Sequence, residues 1–395
     1  MKKTVSVLLI SLFALAAYAQ IITTNPAIIT NDYAGVVEIT FDAAQGTAGL
    51  KGFTGDVYAH TGVITSASTS DSNWKHAPTW GDNAAKYKLT SLGNNKWKLL
   101  ITPSMKGYYS LNEGEVLTKL AFVFRNSDGS KEGKDTGNKD IFVPVYAQGL
   151  NVAFTSPPDN QVTTAGESIN FSFSASQASN LDLLINGTSV KTASSSLTLS
   201  HSYSFPSIND YLVVAKASLA GVSVYDTLRV CVPKAVETAT RPSGLVDGIN
   251  YKSDSEVTLL LFAPNKKKVN VIGDFSDWAQ MNAYQMKKDG DYWWYSFTDL
   301  SPGKLYKFQY LVDDNLRLSD AYAELVLDPW NDGYISSETY PDMPEYPKKT
   351  SDLVATFQTG KSPYEWEVPN FAMPSQENMV IYELLLRDFT TSKTL

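Results

Sequence analysis

Cysteine, histidine and basic runs are scarce in this chain of 395 residues, and each scarcity removes a class of explanation. The single cysteine, Cys231, has no partner for an internal disulfide, so stability has to come from cores of adequate size. Lys and Arg number 33 against 41 Asp and Glu, a net charge of −8, and no basic run exceeds Lys266-Lys267-Lys268. Nucleic-acid binding needs a concentrated basic patch, so that partner class is not expected. The three histidines, His60, His76 and His201, stand apart with no third ligand at a recognisable spacing. No metal and no cofactor is therefore expected. Outside the extreme N-terminus, no apolar stretch reaches the ~20 residues of a membrane span.

The N-terminus itself carries a pattern. Lys2 and Lys3 precede TVSVLLISLFALAAYA, which ends in the small-x-small triplet Ala17-Tyr18-Ala19. This predicts a secretory signal peptide over 1–19, cleaved after Ala19. No cysteine lies near that site, so a lipoprotein anchor is not expected. The mature chain is expected to be secreted, periplasmic or at the cell surface.

Helix signals are almost absent after the leader. Short alternating runs such as GVVEITFDA, KWKLLITPS and DIFVPVYA are separated by Gly, Asn, Asp and Ser turns. This pattern predicts an all-β chain of tandem β-sandwiches. Composition shifts place the joints: a first sandwich over 20–148, a second over 149–233, a third over 234–345, and a remainder over 346–395. Pro157-Pro158, CVPKAVETATRPSG and YPDMPEYPKKTS punctuate them. The second unit is Ser- and Thr-rich, holds roughly seven short strands of immunoglobulin-like spacing, and reads as a spacer. Its Asn186-Gly187 is the dipeptide that accepts a positive φ at both positions of a hairpin turn.

In the first unit, Trp74 and Trp80 fall in a polar, turn-rich stretch, whereas Trp97 lies in an alternating strand and reads as core. An indole presents a flat face to the C–H side of a sugar ring, and Arg125, Asn126 and Lys131 in FVFRNSDGSKEGK would meet its hydroxyls. The alternative is that both tryptophans plug the ends of the sandwich. The pattern DVYAHTGVIT, NWKHAP, FVFRNSDGSKEGK resembles N-terminal modules of secreted amylases of Bacteroidetes and, more loosely, the modules of outer-membrane starch-binding proteins. That resemblance implies contact with α-glucan.

The third unit carries Ala263-Pro264, GDFSDW, DGDYWWYSF and YKFQYLVDD in order. These resemble the early-set, family 48 carbohydrate-binding-like sandwich that precedes the barrel of alpha-amylase family hydrolases, branching enzymes and pullulanases. The resemblance implies a glucan-contacting tryptophan at Trp278 and a lysine at Lys307. A second tryptophan is implied after the acidic turn, where this chain has Leu316. The main expected role of the module is to pack against a catalytic barrel. Trp293 and Trp294 are adjacent, so they point to opposite faces of a strand.

The closing NMVIYELLLRDFTTSKTL resembles the first strand of that family's (β/α)8 barrel, and 379–389 reads as a strand buried on both faces. Such a barrel has eight strands and about 250 residues. Retaining glycosidases also need a carboxylate pair roughly 5–5.5 Å apart, and the family's histidine-bearing motifs are missing: no histidine follows His201. Glu383 belongs to the strand pattern, Asp388 lies beside it, and no catalytic residue is assigned.

The expectation is a catalytically inert N-terminal region of a secreted alpha-amylase family enzyme from a Bacteroidetes bacterium, ending one strand into its barrel. It binds or positions a starch-, glycogen- or pullulan-type polysaccharide. Its partners are then the α-glucan and the rest of the barrel. The alternatives are a stand-alone polysaccharide-binding protein and a structural surface protein.

Overall fold

The computed structural model describes residues 20–362, 365, 367–368 and 370–383. The leader 1–19 and residues 384–395 lie outside them. The chain divides into two compact units. One comprises residues up to Gln161 with Ala165–Pro206 and Tyr211–Val230; the other comprises Val162–Thr164, Ser207–Asp210 and Cys231 onward.

In the first unit, β1 (Ile22–Asn25), β2 (Val37–Asp42), β3 (Val57–Thr65), β4 (Thr90–Gly93), β5 (Lys96–Ile101), β6 (Leu117–Asn126), β7 (Glu132–Gly133) and β8 (Ile141–Pro144) form two sheets. Their orders are β1-β2-β5-β4 and β3-β6-β7, with β8 also on β6. Alternation explains the core. Val37, Ile39 and Phe41 of β2 turn inward to meet Leu120, Phe122 and Phe124 of β6, and the Phe41 and Phe124 rings stack at 4.1 Å. Each such fully buried side chain contributes about 1.5–3 kcal/mol of transfer free energy. Trp97 is in this core, as its strand alternation required.

β6 breaks the simple two-sided pattern. Its second face, Ala121, Val123 and Arg125, is buried as well. Residues 66–84 account for part of this cover, since Lys75 pairs with Val63 of β3 through both of its main-chain hydrogen bonds.

The next strands are β9 (Val152–Ser156), β10 (Gln161–Val162), β11 (Ser168–Ile185), β12 (Thr188–Ser204), β13 (Asn209–Leu219) and β14 (Val222–Val232). The expectation of about seven short strands is corrected to six, two of them long. β11 pairs with β12 along its whole length, with β9 near its start and with β13 near its end. Register shifts at 174–181 let one strand serve both neighbours without a turn. The Asn186-Gly187 turn has φ of 48° and 80°, the conformation its sequence asked for.

In the second unit, β15 (Gly248–Ser253), β16 (Glu256–Phe262), β17 (Val269–Gly273), β18 (Lys287–Asp289), β19 (Tyr292–Phe297), β20 (Leu305–Val312), β21 (Leu316–Leu318), β22 (Val326–Leu327) and β23 (Val354–Gln358) form a further sandwich. Its sheets run β15-β16-β19-β18 and β17-β20-β23-β22, with β21 on β20. Val257, Leu259, Val271, Trp293, Phe308 and Phe357 fill the space between them.

Residues 234–242 are tied to this sandwich: Glu237 and Ala239 exchange main-chain hydrogen bonds with Lys288, and Trp294 Nε1 donates to the Ala239 carbonyl at 2.9 Å. One expectation about its border is corrected. Residues 346–395 are not only linker and barrel strand. β23 supplies an internal strand of the sandwich, because Ala355 and Phe357 fill core positions that nothing earlier in the chain fills. The expected barrel strand is described only over 379–383, which form no strand and expose Val380, Ile381 and Tyr382. Its remainder, with Asp388, lies outside the described residues.

Candidate functional site

The first sandwich gathers an aromatic cluster on the outer face of β3. His60 projects there because β3 alternates and its neighbours Ala59 and Thr61 face the other way. The ring of Trp74 stacks on His60 at 5.6 Å, and Trp80 meets it edge-on at 4.8 Å. Phe142 closes the far side against Trp74 at 6.3 Å. Trp80 is 48% exposed, whereas Trp74 is half-buried. Gly62, two residues on from His60, is required by the close approach of this cover. A Cβ there would lie 2.9 Å from the Lys75 carbonyl and from Ala77.

The polar residues expected beside these indoles take a different role. Arg125 is fully buried. Its guanidinium donates to the Asp82 carbonyl at 2.6 Å, the Asn83 side chain at 2.9 Å and the Asn126 carbonyl at 3.0 Å. It also lies under the Trp80 ring at 5.8 Å. Arg125 therefore holds the loop that presents Trp80 and is not itself presented. Asn126 is buried too, with its amide closing the following turn through Ser130 Oγ and the Lys131 main-chain N–H. Of the three, only Lys131 is exposed.

A hydrogen bond and an ion pair hold the covering segment down: His76 Nε2 with both oxygens of Glu115 at 2.9 and 3.0 Å, and Lys119 with Asp71 at 2.6 Å. The His76 hydrogen bond, helped by the Asn112 main-chain N–H, keeps the Glu115 carboxyl below its ordinary range. Burial, with the nearby Arg125 charge, keeps His60 below the usual imidazole value. His60 is then neutral near pH 7, and a neutral ring between two indoles suits a neutral ligand. The sequence reading missed His60 as a member of this cluster. Its parity on β3, shared with Tyr58 and Gly62, is the signal that would have found it.

In the later sandwich, the side chains of Trp278 and Lys307 are both engaged from within the chain. Trp278 is 8% exposed and belongs to a small core with Ile272, Leu311, Leu327 and Val354, against which Tyr346 packs. Residues 345–353 form a strap over this side. Lys307 Nζ donates to the Glu345 carbonyl at 2.5 Å, and Lys349 pairs with Asp277 at 2.6 Å. Gln309 Nε2 donates to the carbonyls of Ser351 and Leu353 at 2.7 and 2.8 Å. Against the expectation that both contact a glucan, Trp278 is buried and the Lys307 ammonium is held by the Glu345 carbonyl in this arrangement. Leu316 is 44% exposed. Trp293 is fully buried and Trp294 half-buried, as adjacent strand positions require. Among the described residues, no group of three or more His, Cys, Asp or Glu side chains could hold a metal, and no helix is long and apolar enough to cross a membrane.

Residues 248–331, nearly the whole later sandwich up to its strap, match the family of carbohydrate-binding module 48, described as the isoamylase N-terminal domain. Residues 23–132, which include β3, β6 and His60, Trp74 and Trp80 of the cluster, match a domain of unknown function, DUF8578. Among curated proteins, the chain is similar to a 1,4-alpha-glucan branching enzyme of Butyrivibrio fibrisolvens, 40% identical over 72 residues, covering 16% of this chain and 11% of the enzyme. It is also similar to the branching enzyme of a Synechococcus species, 30% identical over 123 residues, covering 31% and 13%. The chain spans about a tenth of the length of the curated relatives it matches. Among solved structures, a three-immunoglobulin-domain fragment of titin is 11% identical with a TM-score of 0.19, covering 72% of this chain and 90% of that one. The module match and the branching-enzyme similarity support an N-terminal region of the alpha-amylase family type.

Proposed function

We propose that this chain is the non-catalytic N-terminal region of an exported alpha-amylase family enzyme, from a Bacteroidetes bacterium, that binds and positions an α-glucan. The observation that carries this reading is the match of 248–331 to a carbohydrate-binding module described at the N-terminus of isoamylase. The similar branching enzymes are named for 1,4-α-glucan, the same polymer class. The first sandwich supplies the contact: Trp80 as the exposed platform, Trp74 and His60 as its backing, Lys131 at the rim. The burial of Trp278 and the engagement of Lys307 within the chain favour the cluster as the contact in this reading.

Affinity electrophoresis of the chain in native gels containing starch, glycogen or pullulan tests the reading. Retardation by these polymers and not by a β-linked glucan is expected, with no release of reducing ends from starch. Trp80→Ala should lose most of the retardation, because the mostly apolar platform of the site would be gone. Equal mobility with and without starch would reject the glucan assignment. Unchanged retardation of Trp80→Ala would reject the platform.

A further inference from the structure

We propose that an open groove at the edge of the later sandwich is a second binding site, for a neutral oligosaccharide, with Tyr251 as its platform. The groove has a volume of about 610 Å³, inside the ~300–1,000 Å³ range of small-ligand sites. It lies where β15 ends and where the chain leaves β23. Its lining includes Tyr251, Lys252 and Asp254 from the β15–β16 hairpin, Glu324 from the loop before β22, and Gln358 and Lys361 from the other side.

Three features define what this groove accepts. The first is an exposed aromatic face: Tyr251 lines the groove and is 44% exposed, while partial burial raises its hydroxyl above the ordinary phenol value. The second is charge balance. Lys252 and Lys361 are matched in number by Asp254 and Glu324, so the lining carries no net charge to favour a phosphate, a carboxylate or a cation. The third is a supply of hydrogen-bonding groups that need not be broken out of a core. Gln358 Nε2 is anchored on the Gly303 carbonyl at 2.7 Å, which orients its Oε1 as an acceptor. Lys361 and Glu324 pair at 3.3 Å with both side chains mostly exposed. An exposed ion pair of that kind adds little to stability, so its members re-aim at hydroxyls with little loss.

A flat apolar face surrounded by balanced, adjustable donors and acceptors is the complement of a pyranose, with its C–H face and ring of hydroxyls. An apolar peptide would find one ring and no pocket. No residue of the strap 345–353 lines the groove.

This proposal rests on the glucan reading only for the choice of first probe, and the test separates the two. The full chain is footprinted by hydrogen exchange with maltohexaose, cellohexaose or xylohexaose, alongside isothermal titration. Maltohexaose is expected to protect 251–254 and 358–362 in addition to the segment around Trp80. Tyr251→Ala should abolish that protection and weaken the site at least tenfold, Tyr251→Phe should retain it, and Trp80→Ala should leave it intact. Circular dichroism of Tyr251→Ala controls for folding, since the residue is at a sheet edge. Protection of the Trp80 segment alone, or unchanged binding by Tyr251→Ala, overturns the groove while leaving the glucan reading in place. Protection of the groove by cellohexaose or xylohexaose but not maltohexaose supports the groove and overturns the α-glucan reading. Protection by none of the three overturns both.

Discussion

Replacing Trp278 separates a structural indole from a sugar-binding one. The side chain is 8% exposed against Ile272, Leu311, Leu327 and Val354. Removing a buried tryptophan to alanine costs about 3–5 kcal/mol, the transfer term plus the cavity. Trp278 also has a φ of 61°, directly after Asp277 at 53°. A left-handed backbone costs an ordinary residue roughly 1–2 kcal/mol, and glycine avoids this. Trp278→Gly should therefore be milder than Trp278→Ala by about 1 kcal/mol, although it removes more atoms. At ~4 °C or more per kcal/mol for a domain of this size, Trp278→Ala should lower the melting transition of this sandwich by at least about 12 °C. Differential scanning calorimetry reads the shift, and a starch gel run well below the transition reads binding. If Trp278→Ala melts with the wild type and loses glucan retention, the indole faces a ligand and the strap is misassigned. If Gly is worse than Ala, the strain argument fails.

Two further outcomes are expected. Gly273→Ala should destabilise the same sandwich by about 1–3 kcal/mol, because the added Cβ would lie 2.3 Å from the Lys307 carbonyl oxygen; denaturant titration reads this, and a neutral result would refute the close approach. For His60 the folded pKa is lowered by burial, so the unfolded chain binds more protons as pH falls past about 6.5. Stability of the first sandwich should therefore fall on acidification from about pH 8 to about pH 5, and His60→Gln should flatten that dependence in thermal melts.

Local chemistry made parts of this structure legible. Asn186-Gly187 announced its turn because few other dipeptides tolerate two positive φ values. Trp97 announced its burial because the residues around it alternate, and Trp293-Trp294 announced a split between faces for the same reason. What could not be read depended on contacts distant in sequence. Arg125 looks like a surface residue until residues 66–84 are laid across its sheet. Trp278 looks available until a strap some 70 residues later in the chain closes over it through Tyr346 and Lys349. β23 was hidden because Tyr340–Ser351 is rich in Pro and charge, and reads as the end of a domain. The long β11 was divided too finely, since bulges do the work that turns were expected to do.

Cys231 has a practical consequence. Its thiol is buried, and burial pushes its pKa to about 12, so thiol reagents that need the thiolate find almost none in the native chain. A chain with one silent cysteine is already prepared for site-directed labelling. A second cysteine placed beside Trp80 or Tyr251 could carry a fluorophore without removing the first. The native thiol would then serve as an internal alarm, reacting only when the structure around it opens.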